Sequence, residues 1–384
     1  MSSHFSRRAA SITPFLAMEV MERAQTLEAA GRDIIYLCLG EPDLPTPAPI
    51  VKQAIAAIEQ GQTRYTHSLG DLAIRQAIAD FYRQRYRVTV DPDCILVSAG
   101  TSPLMLLLFA MLLDEGDEVI LSDPCYACYP DFIRFAGGVP RLLHTREEDG
   151  FQPRPEEVQK LIGERTRAVL VNSPSNPAGT LLPQAWLEEL CSLPVPLVSD
   201  EIYHGLSYEG QERSALEFND RCFVLGGFSK AYAMTGWRLG YLIAPQEAMR
   251  TLQTLHQNFM ICASSFVQQA GISALRDCQA DLESMRTIYD QRRRFLLQGL
   301  QQMGLQVKSY PAGAFYVLVD FRHICPDSRR LAMEILEKTG VALTPGIDFG
   351  AGAEGYLRFS YANSTEQIAA ALKRLGSFLA SRPS

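Results

Sequence analysis

The stretch Gly226–Tyr241, GGFSKAYAMTGWRLGY, places a lysine, Lys230, at the end of an apolar run, Cys222–Phe228, that reads as a buried strand. Arg238 follows eight residues later, in a stretch with two glycines, Gly236 and Gly240. A buried lysine is costly as a cation and tends to shed its proton, which makes it a good amine nucleophile toward carbonyl carbon. An arginine supplies the planar fork that a phosphate accepts. Lysine for an aldehyde and arginine for a phosphate suit one phosphorylated aldehyde. On spacing alone, two snorkelling surface cations fit as well, so the rest of the chain decides.

At 384 residues the chain exceeds one ordinary hydrophobic core, and two domains are the expectation. Hydrophobic residues at 47% and charged residues at 21% suit a soluble globular protein. A formal net charge of −7 argues against nucleic acid as the main partner, although a cofactor phosphate needs only one or two arginines. Nine cysteines, an odd number in a chain this long, point to a reducing compartment. Cys125 and Cys128 form a C-x-x-C pair in DPCYACYP, but Pro124 and Pro130 flank it, which favours structural over redox cysteines. No second pair exists and the six histidines show no ligand spacing, so no metal is expected. Arg7 and Arg8 precede Ile12–Met18, but Glu19 and Glu22 interrupt any apolar leader. The most apolar helical stretch, Leu104–Leu113, is too short to cross a bilayer. The cytoplasm is the expected compartment.

Helical periodicity covers residues 17–30, 48–60 and 72–86, with a short strand at Ile34–Leu39. Apolar runs then recur at Cys94–Val97, Glu118–Leu121, Ala168–Val171, Pro196–Val198 and Cys222–Leu225, with helical stretches between most of them. That alternation predicts an α/β fold, a mostly parallel central sheet covered by helices. After about residue 284 a long charged helix leads into a strand at Ala314–Val319, a helix near Ser328–Thr339 and a final helix from Thr365. We read residues 46–283 as the large domain. Residues 1–45 and 284–384 form a smaller α+β domain built from both termini.

Each apolar run in the middle region is followed by polar or glycine-rich residues, and ligands of open α/β sheets bind at the carboxyl ends of the strands. Gly100-Thr101-Ser102-Pro103 has the logic of an anion site: a free backbone, an expected N-cap at Ser102, and exposed helix N–H groups beyond. A capped helix with no ligand reads the same way. Asp200 ends a strand buried on both faces, where a lone carboxylate is expensive unless a cation answers it. A protonated pyridine nitrogen would answer it and keep the ring electron-poor. Tyr203 and Asn176 stand where they could reach that ring's phenolic oxygen.

With these residues in view, the chain resembles the class I/II aminotransferases, pyridoxal-phosphate enzymes of fold type I similar to aspartate aminotransferase. The resemblance runs from about residue 12 to 375 and rests on LGEPDLPTP, RYTHSLGDLAIRQAIA, SAGTSPLML, DPCYACYP, NSPSNPAGT, SDEIYHGL, FSKAYAMTGWRLGY, YPAGAFYVLVD, TPGIDFG and YLRFSYA, in that order. It implies pyridoxal 5'-phosphate held as an internal aldimine on Lys230, which then shuttles a proton. It implies Asp200 on the pyridine nitrogen, Tyr203 and Asn176 on the phenolic oxygen, and Tyr126 against the ring face. Thr101, Ser102 and Arg238 would hold the phosphate, joined by Tyr65 from a neighbouring subunit, so a homodimer is implied. Arg358 would fork the substrate α-carboxylate, helped by the Gly40 N–H and Asn176. One departure stands out: many relatives carry a serine three residues before the lysine, where this chain has Gly227, and Ser229 is the nearest hydroxyl.

Aspartate-specific relatives need a second cation for the distal carboxylate; no clear candidate stands here, with Arg32 and Arg64 the cations that could still supply one. The stretch expected to wall the pocket, Ile12-Thr13-Pro14-Phe15-Leu16, is apolar, with Phe15 its expected contact. A neutral or hydrophobic L-amino acid donor and a 2-oxo acid acceptor follow. The alternative is a C–S β-lyase acting on a cysteine conjugate with the same residues. An aminotransferase-like transcriptional regulator would need a DNA-binding module, for which neither the N-terminal segment nor the pI near 5.5 speaks. A nucleotide-binding oxidoreductase lacks its G-x-G-x-x-G after an early strand.

Overall fold

Seven strands between Ile95 and Ile243 carry apolar side chains on both faces, and period-two alternation sends them into two separate cores. Val169 and Val171 join one buried cluster while Ala168 and Leu170 join the other, so the strands are covered on each side by helices. A computed structural model describes the protein over residues 6–382. Residues 1–5 and 383–384, which belong to the expected smaller domain, lie outside the described residues.

In chain order the strands are β1 (Ile35–Tyr36), β2 (Ile95–Ser98), β3 (Glu118–Asp123), β4 (Val139–His144), β5 (Thr166–Asn172), β6 (Leu197–Asp200), β7 (Phe223–Gly227), β8 (Gly240–Ile243), β9 (Tyr316–Asp320), β10 (Val341–Ala342), β11 (Thr344–Pro345) and β12 (Tyr356–Ser360). The central sheet has the order β2-β8-β7-β6-β5-β3-β4, and every pairing is parallel except those of β8. The expected mostly parallel α/β sheet is therefore what the chain builds. From β3 the chain runs outward to β4, then returns to β5 on the other side and continues to β6 and β7. That reversal opens a crevice at the carboxyl ends of β3 and β5, the place where such sheets bind ligands. Register sets the depth of the site, with Asn172 of β5 opposite Asp200 of β6, and Asp200 opposite Leu225 of β7.

Two strands of the central sheet escaped the sequence reading, as did β10, β11 and β12 outside it. β4 is an edge strand whose residues are mostly exposed, and its Pro140 is tolerated because an edge needs fewer ladder donors. β8 is only four residues long and runs antiparallel inside a glycine-rich motif, where no longer apolar run announces it.

Outside the central sheet, β11, β12 and β9 form an antiparallel sheet, while β1 pairs in parallel with β10. Val20, Ala24, Leu27, Ile34 and Cys38 from the N-terminal segment share a buried cluster with Leu336 and Ala342. Helices occur at Leu16–Ala29, Ala48–Glu59, Leu72–Tyr86, Gln279–Gln302, Ser328–Thr339 and Thr365–Ala380, close to the expected spans. No helix among the described residues is long and apolar enough to cross a membrane.

The turn after β11 is packed to its limit. A Cβ added at Gly346 would collide with the carbonyl oxygens of Ala353 and Tyr356, which are backbone atoms that cannot swing aside. Gly346→Ala is expected to lower the unfolding free energy by about 1–3 kcal/mol, read from urea denaturation with an unchanged m-value; an unaltered midpoint would refute the close packing of this turn.

Candidate active site

The helix Thr101–Leu112 starts at Gly100, whose φ of 95° is left-handed and whose hydrogen leaves room for the Arg238 guanidinium. A Cβ there would sit 2.6 Å from Arg238 Nη2. Gly100, not Ser102, is the N-cap: the left-handed turn begins the helix earlier than the Ser-Pro pair suggests. Thr101 and Ser102 occupy the first turn, and no side chain caps it, so its N–H groups face the cavity without a built-in acceptor. Arg238 bonds only the Thr235 carbonyl, at 3.1 Å, and has no ion-pair partner among the described residues.

Asp200 is buried at the end of β6. Its Oδ2 accepts the Tyr129 hydroxyl at 2.7 Å and its Oδ1 the Ile202 amide at 3.1 Å. Burial pushes the Asp200 carboxyl up, opposed by those two donors and more weakly by the charges of His204 and Lys230. Such a carboxylate is stabilised by a cation brought to it. Tyr203, one turn on, shares a 2.9 Å hydroxyl contact with Tyr316, and burial raises its pKa well above the ordinary value.

Lys230 Nζ donates to the Gly40 carbonyl at 2.6 Å. Burial pulls its ammonium down from 10.5 to about 8, with Glu41 opposing and Arg358 and Arg238 assisting. Arg358, on β12, is almost fully buried between the rings of Tyr316 and Phe349, 4.4 and 4.8 Å from their centroids. Nη1 donates to Asn176 Oδ1 at 2.9 Å, and Nη2 to the Cys38 carbonyl at 2.7 Å and Thr344 Oγ1 at 3.2 Å. Its Nε is buried with no acceptor.

One cavity of about 560 Å³ gathers these groups. Lys230, Asp200, Tyr203, Arg238, Thr101 and Ser102 all line it. So do Tyr126, Asn176, Ser229, Gly40, Arg358 and Phe15. Tyr65 does not; it projects into solvent, 84% exposed. Gly227 lies outside the cavity, and a Cβ there would meet Ile202 Cδ1 at 2.8 Å, so this position offers no hydroxyl. The sequence reading missed Tyr129 and Tyr316. Both sit inside quoted motifs, but only tertiary placement brings their hydroxyls to Asp200 and Tyr203. Cys125 and Cys128 are free thiols, with Cys125 buried.

The donor set fits a phosphorylated pyridine aldehyde: a low-pKa amine, a buried carboxylate, and an uncapped helix end beside an arginine. Below its midpoint Lys230 is protonated and unreactive; above it the neutral amine attacks. Acylation of Lys230 in the cofactor-free protein should therefore rise through a midpoint near 8, followed by competitive anhydride labelling and peptide mass spectrometry. A midpoint at the ordinary 10.5 contradicts the burial argument.

Residues 32–375 match the family described as aminotransferase class I and II. A (5-formylfuran-3-yl)methyl phosphate transaminase of Methanocaldococcus jannaschii is 38% identical, over 97% of this chain and 99% of its own. An aspartate/prephenate aminotransferase of Thermus thermophilus is 39% identical, over 97% and 98%. The solved structure of Thermus thermophilus aspartate aminotransferase with maleate superposes with a TM-score of 0.94 at 38% identity, covering 97% of this chain and 99% of that one. A match of this length on this sheet makes the chain a member of the class I and II aminotransferases, transferases that work with pyridoxal 5'-phosphate.

Proposed function

We propose that this enzyme moves the amino group of a neutral or hydrophobic L-amino acid to a 2-oxo acid. The observation that carries the reading is the cavity's count of cations. Among the described residues lining it, only Lys230, Arg238 and Arg358 are basic, and none has an ion-pair partner. The cofactor's aldehyde, its phosphate and the substrate α-carboxylate employ all three, which leaves none of this subunit's cavity-lining cations for a distal carboxylate; exposed Arg64, next to Tyr65, lies outside this subunit's cavity. Much of the remaining wall is apolar, with Phe15, Met18, Met21, Met105 and Phe132, and besides Asp200 it carries the carboxylate of Glu41. Arg32, another basic residue near the N-terminal helix, is bound to Glu337 instead.

When bound, the cofactor supplies an electron-poor ring that delocalises the charge left by a departing Cα proton. Asp200 would keep the proton on the pyridine nitrogen, with Tyr129 holding the carboxylate in aim. Lys230 would carry the cofactor and then take up and return the Cα proton at Nζ. Tyr203 and Asn176 would bond the phenolic oxygen, and Tyr126 would cover the ring. Thr101, Ser102 and Arg238 would hold the phosphate, with Ser229 the hydroxyl nearest the gap left by Gly227. Arg358, assisted by Asn176 and the Gly40 backbone, would fork the α-carboxylate, its unsatisfied Nε being the spare donor. The similar proteins named above are transaminases, so β-elimination is not carried as the activity.

We also propose a homodimer in which Tyr65 of the partner subunit completes the phosphate site, and the division into domains at 46–283 and 1–45 with 284–384. The exposure of Tyr65 supports the first; the shared cluster of N- and C-terminal residues supports the second.

The test mixes purified holoenzyme with single amino acids and follows the cofactor's absorbance as it becomes aminated. Leucine, methionine or phenylalanine should exceed aspartate by about 100-fold or more in kcat/KM, because a carboxylate without a cation is costly against this wall; aspartate at parity overturns the donor assignment. Lys230→Ala should abolish turnover and Asp200→Ala reduce it by about 10²–10⁴-fold. Light scattering should give twice the chain's 42.7 kDa, and a monomer with full activity sinks the shared site.

A further inference from the structure

The helix Leu16–Ala29 has no cap of its own. Phe15 at its N-cap position has no side-chain acceptor, and residues 11–14 before it are exposed. The first amides of any helix need partners, and here they come from the other end of the chain. Asp348 Oδ1 accepts the Leu16 amide at 2.7 Å and Oδ2 the Ala17 amide at 3.1 Å. A carboxylate at that position also answers the positive end of the helix. Farther on, Arg23 in the helix and Arg32 just past its end are tied to Glu337. Asp348 is thus the acceptor for the first-turn amides, beside an exposed ion pair of Glu19 with Arg329 at 2.6 Å, and this turn brings Phe15, Met18 and Met21 to the cavity. There the Phe15 ring stands edge-on to Tyr126, at 6.3 Å and 88°.

The turn that carries Asp348 is itself fixed on three sides. Phe349 stacks on the Arg358 guanidinium at 4.8 Å. Its carbonyl accepts the Cys125 amide at 2.9 Å, next to Tyr126, and the Gly352 amide reaches Asp123 Oδ1 at 2.9 Å. The Ile347 amide bonds Ser328 Oγ at 3.1 Å. The anchor for the α-carboxylate, the segment beside the ring and the apolar wall all hang from Gly346–Phe349.

We propose that Asp348 is a positioning residue for donor selection: by holding the first turn of the helix Leu16–Ala29, it sets Phe15 and Met18 at the distance from Arg358 that a bulky apolar side chain fills. This rests on the apolar-donor reading above. A small donor such as alanine does not reach the wall and depends on Arg358 alone, so the two donor sizes separate wall from anchor.

The experiment compares holoenzyme of wild type, Asp348→Ala and Asp348→Asn in single-donor half-reactions with leucine, phenylalanine and alanine. Amide hydrogen exchange of residues 16–29 is measured alongside. Loss of a capping side chain weakens a helix end by about tenfold. Asp348→Ala should therefore lower kcat/KM for the bulky donors about tenfold more than for alanine, mainly through KM. Asp348→Asn, which keeps an acceptor oxygen, should recover most of the difference. Exchange should quicken in the first turn of this helix and not across the molecule. Equal losses for all donors, no loss, or quickened exchange everywhere would each overturn the proposal. A wild-type enzyme preferring aspartate defeats the apolar-donor reading by itself. A wild-type preference for bulky donors that survives Asp348→Ala defeats the role of Asp348 alone.

Discussion

Charge held away from water without its counter-charge is the constraint that organises this molecule. Every ionic group in the central cavity is aimed by neutral partners. Asp200 accepts from a phenol and an amide, and Arg358 donates to an amide oxygen, a carbonyl and a hydroxyl. Lys230 and Arg238 donate to backbone carbonyls. Neutral hydrogen bonds fix direction at modest energy while leaving the charge uncompensated. Elsewhere the same chain behaves differently. Buried Arg293 meets Asp290 and Glu209, buried Arg292 meets Asp43, and buried Glu212 meets Arg85. Ion pairing is the rule in the scaffold and is withheld in the cavity, where the ligands bring the missing charges.

That arrangement requires a rigid frame, because unpaired charges relax toward one another or toward water if they can. The sheet provides it. Asp200 lies level with Asn172, whose Nδ2 donates to the Asp200 carbonyl at 2.8 Å, while its Oδ1 accepts the Asn176 amide at 2.9 Å. Asn176 in turn meets Arg358 from the other sheet. Asp200 and Arg358 are therefore connected through three asparagine contacts, and their spacing is inherited from strand register.

Much of this was legible in the sequence because it is local. An apolar run ending in a charged residue, Val198 to Asp200 or Leu225 to Lys230, names both the strand and the group at its tip. All the predicted site residues but Tyr65, itself expected from a neighbouring chain, meet in one cavity for that reason. What escaped depends on distance along the chain. Tyr129 lies 71 residues from Asp200, Tyr316 lies 113 from Tyr203, and Asp348 lies 332 from Leu16. No periodicity encodes those pairings. The N-cap at Gly100 was misplaced for a related reason, since a left-handed glycine beside an arginine becomes visible only when Arg238 arrives from the distant β7–β8 loop. β4 was missed because an exposed edge has no apolar signature.

The division between legible and illegible follows function. Chemistry common to many amino acids is carried by charges at strand ends, which the chain writes locally and in order. Choice among amino acids, on the proposal above, is carried by where the N-terminal helix is docked, and apolar residues at the start of a helix look alike whether they face a core or a substrate. Phe15, Met18 and Met21 acquire meaning from the carboxylate that holds them. Proteins this similar carry names for different substrates. A chain's neighbours therefore inform its reaction more than its donor, and the donor must be read from the cations that remain unassigned once cofactor and α-carboxylate are satisfied. Here none of this subunit's cavity-lining cations remains.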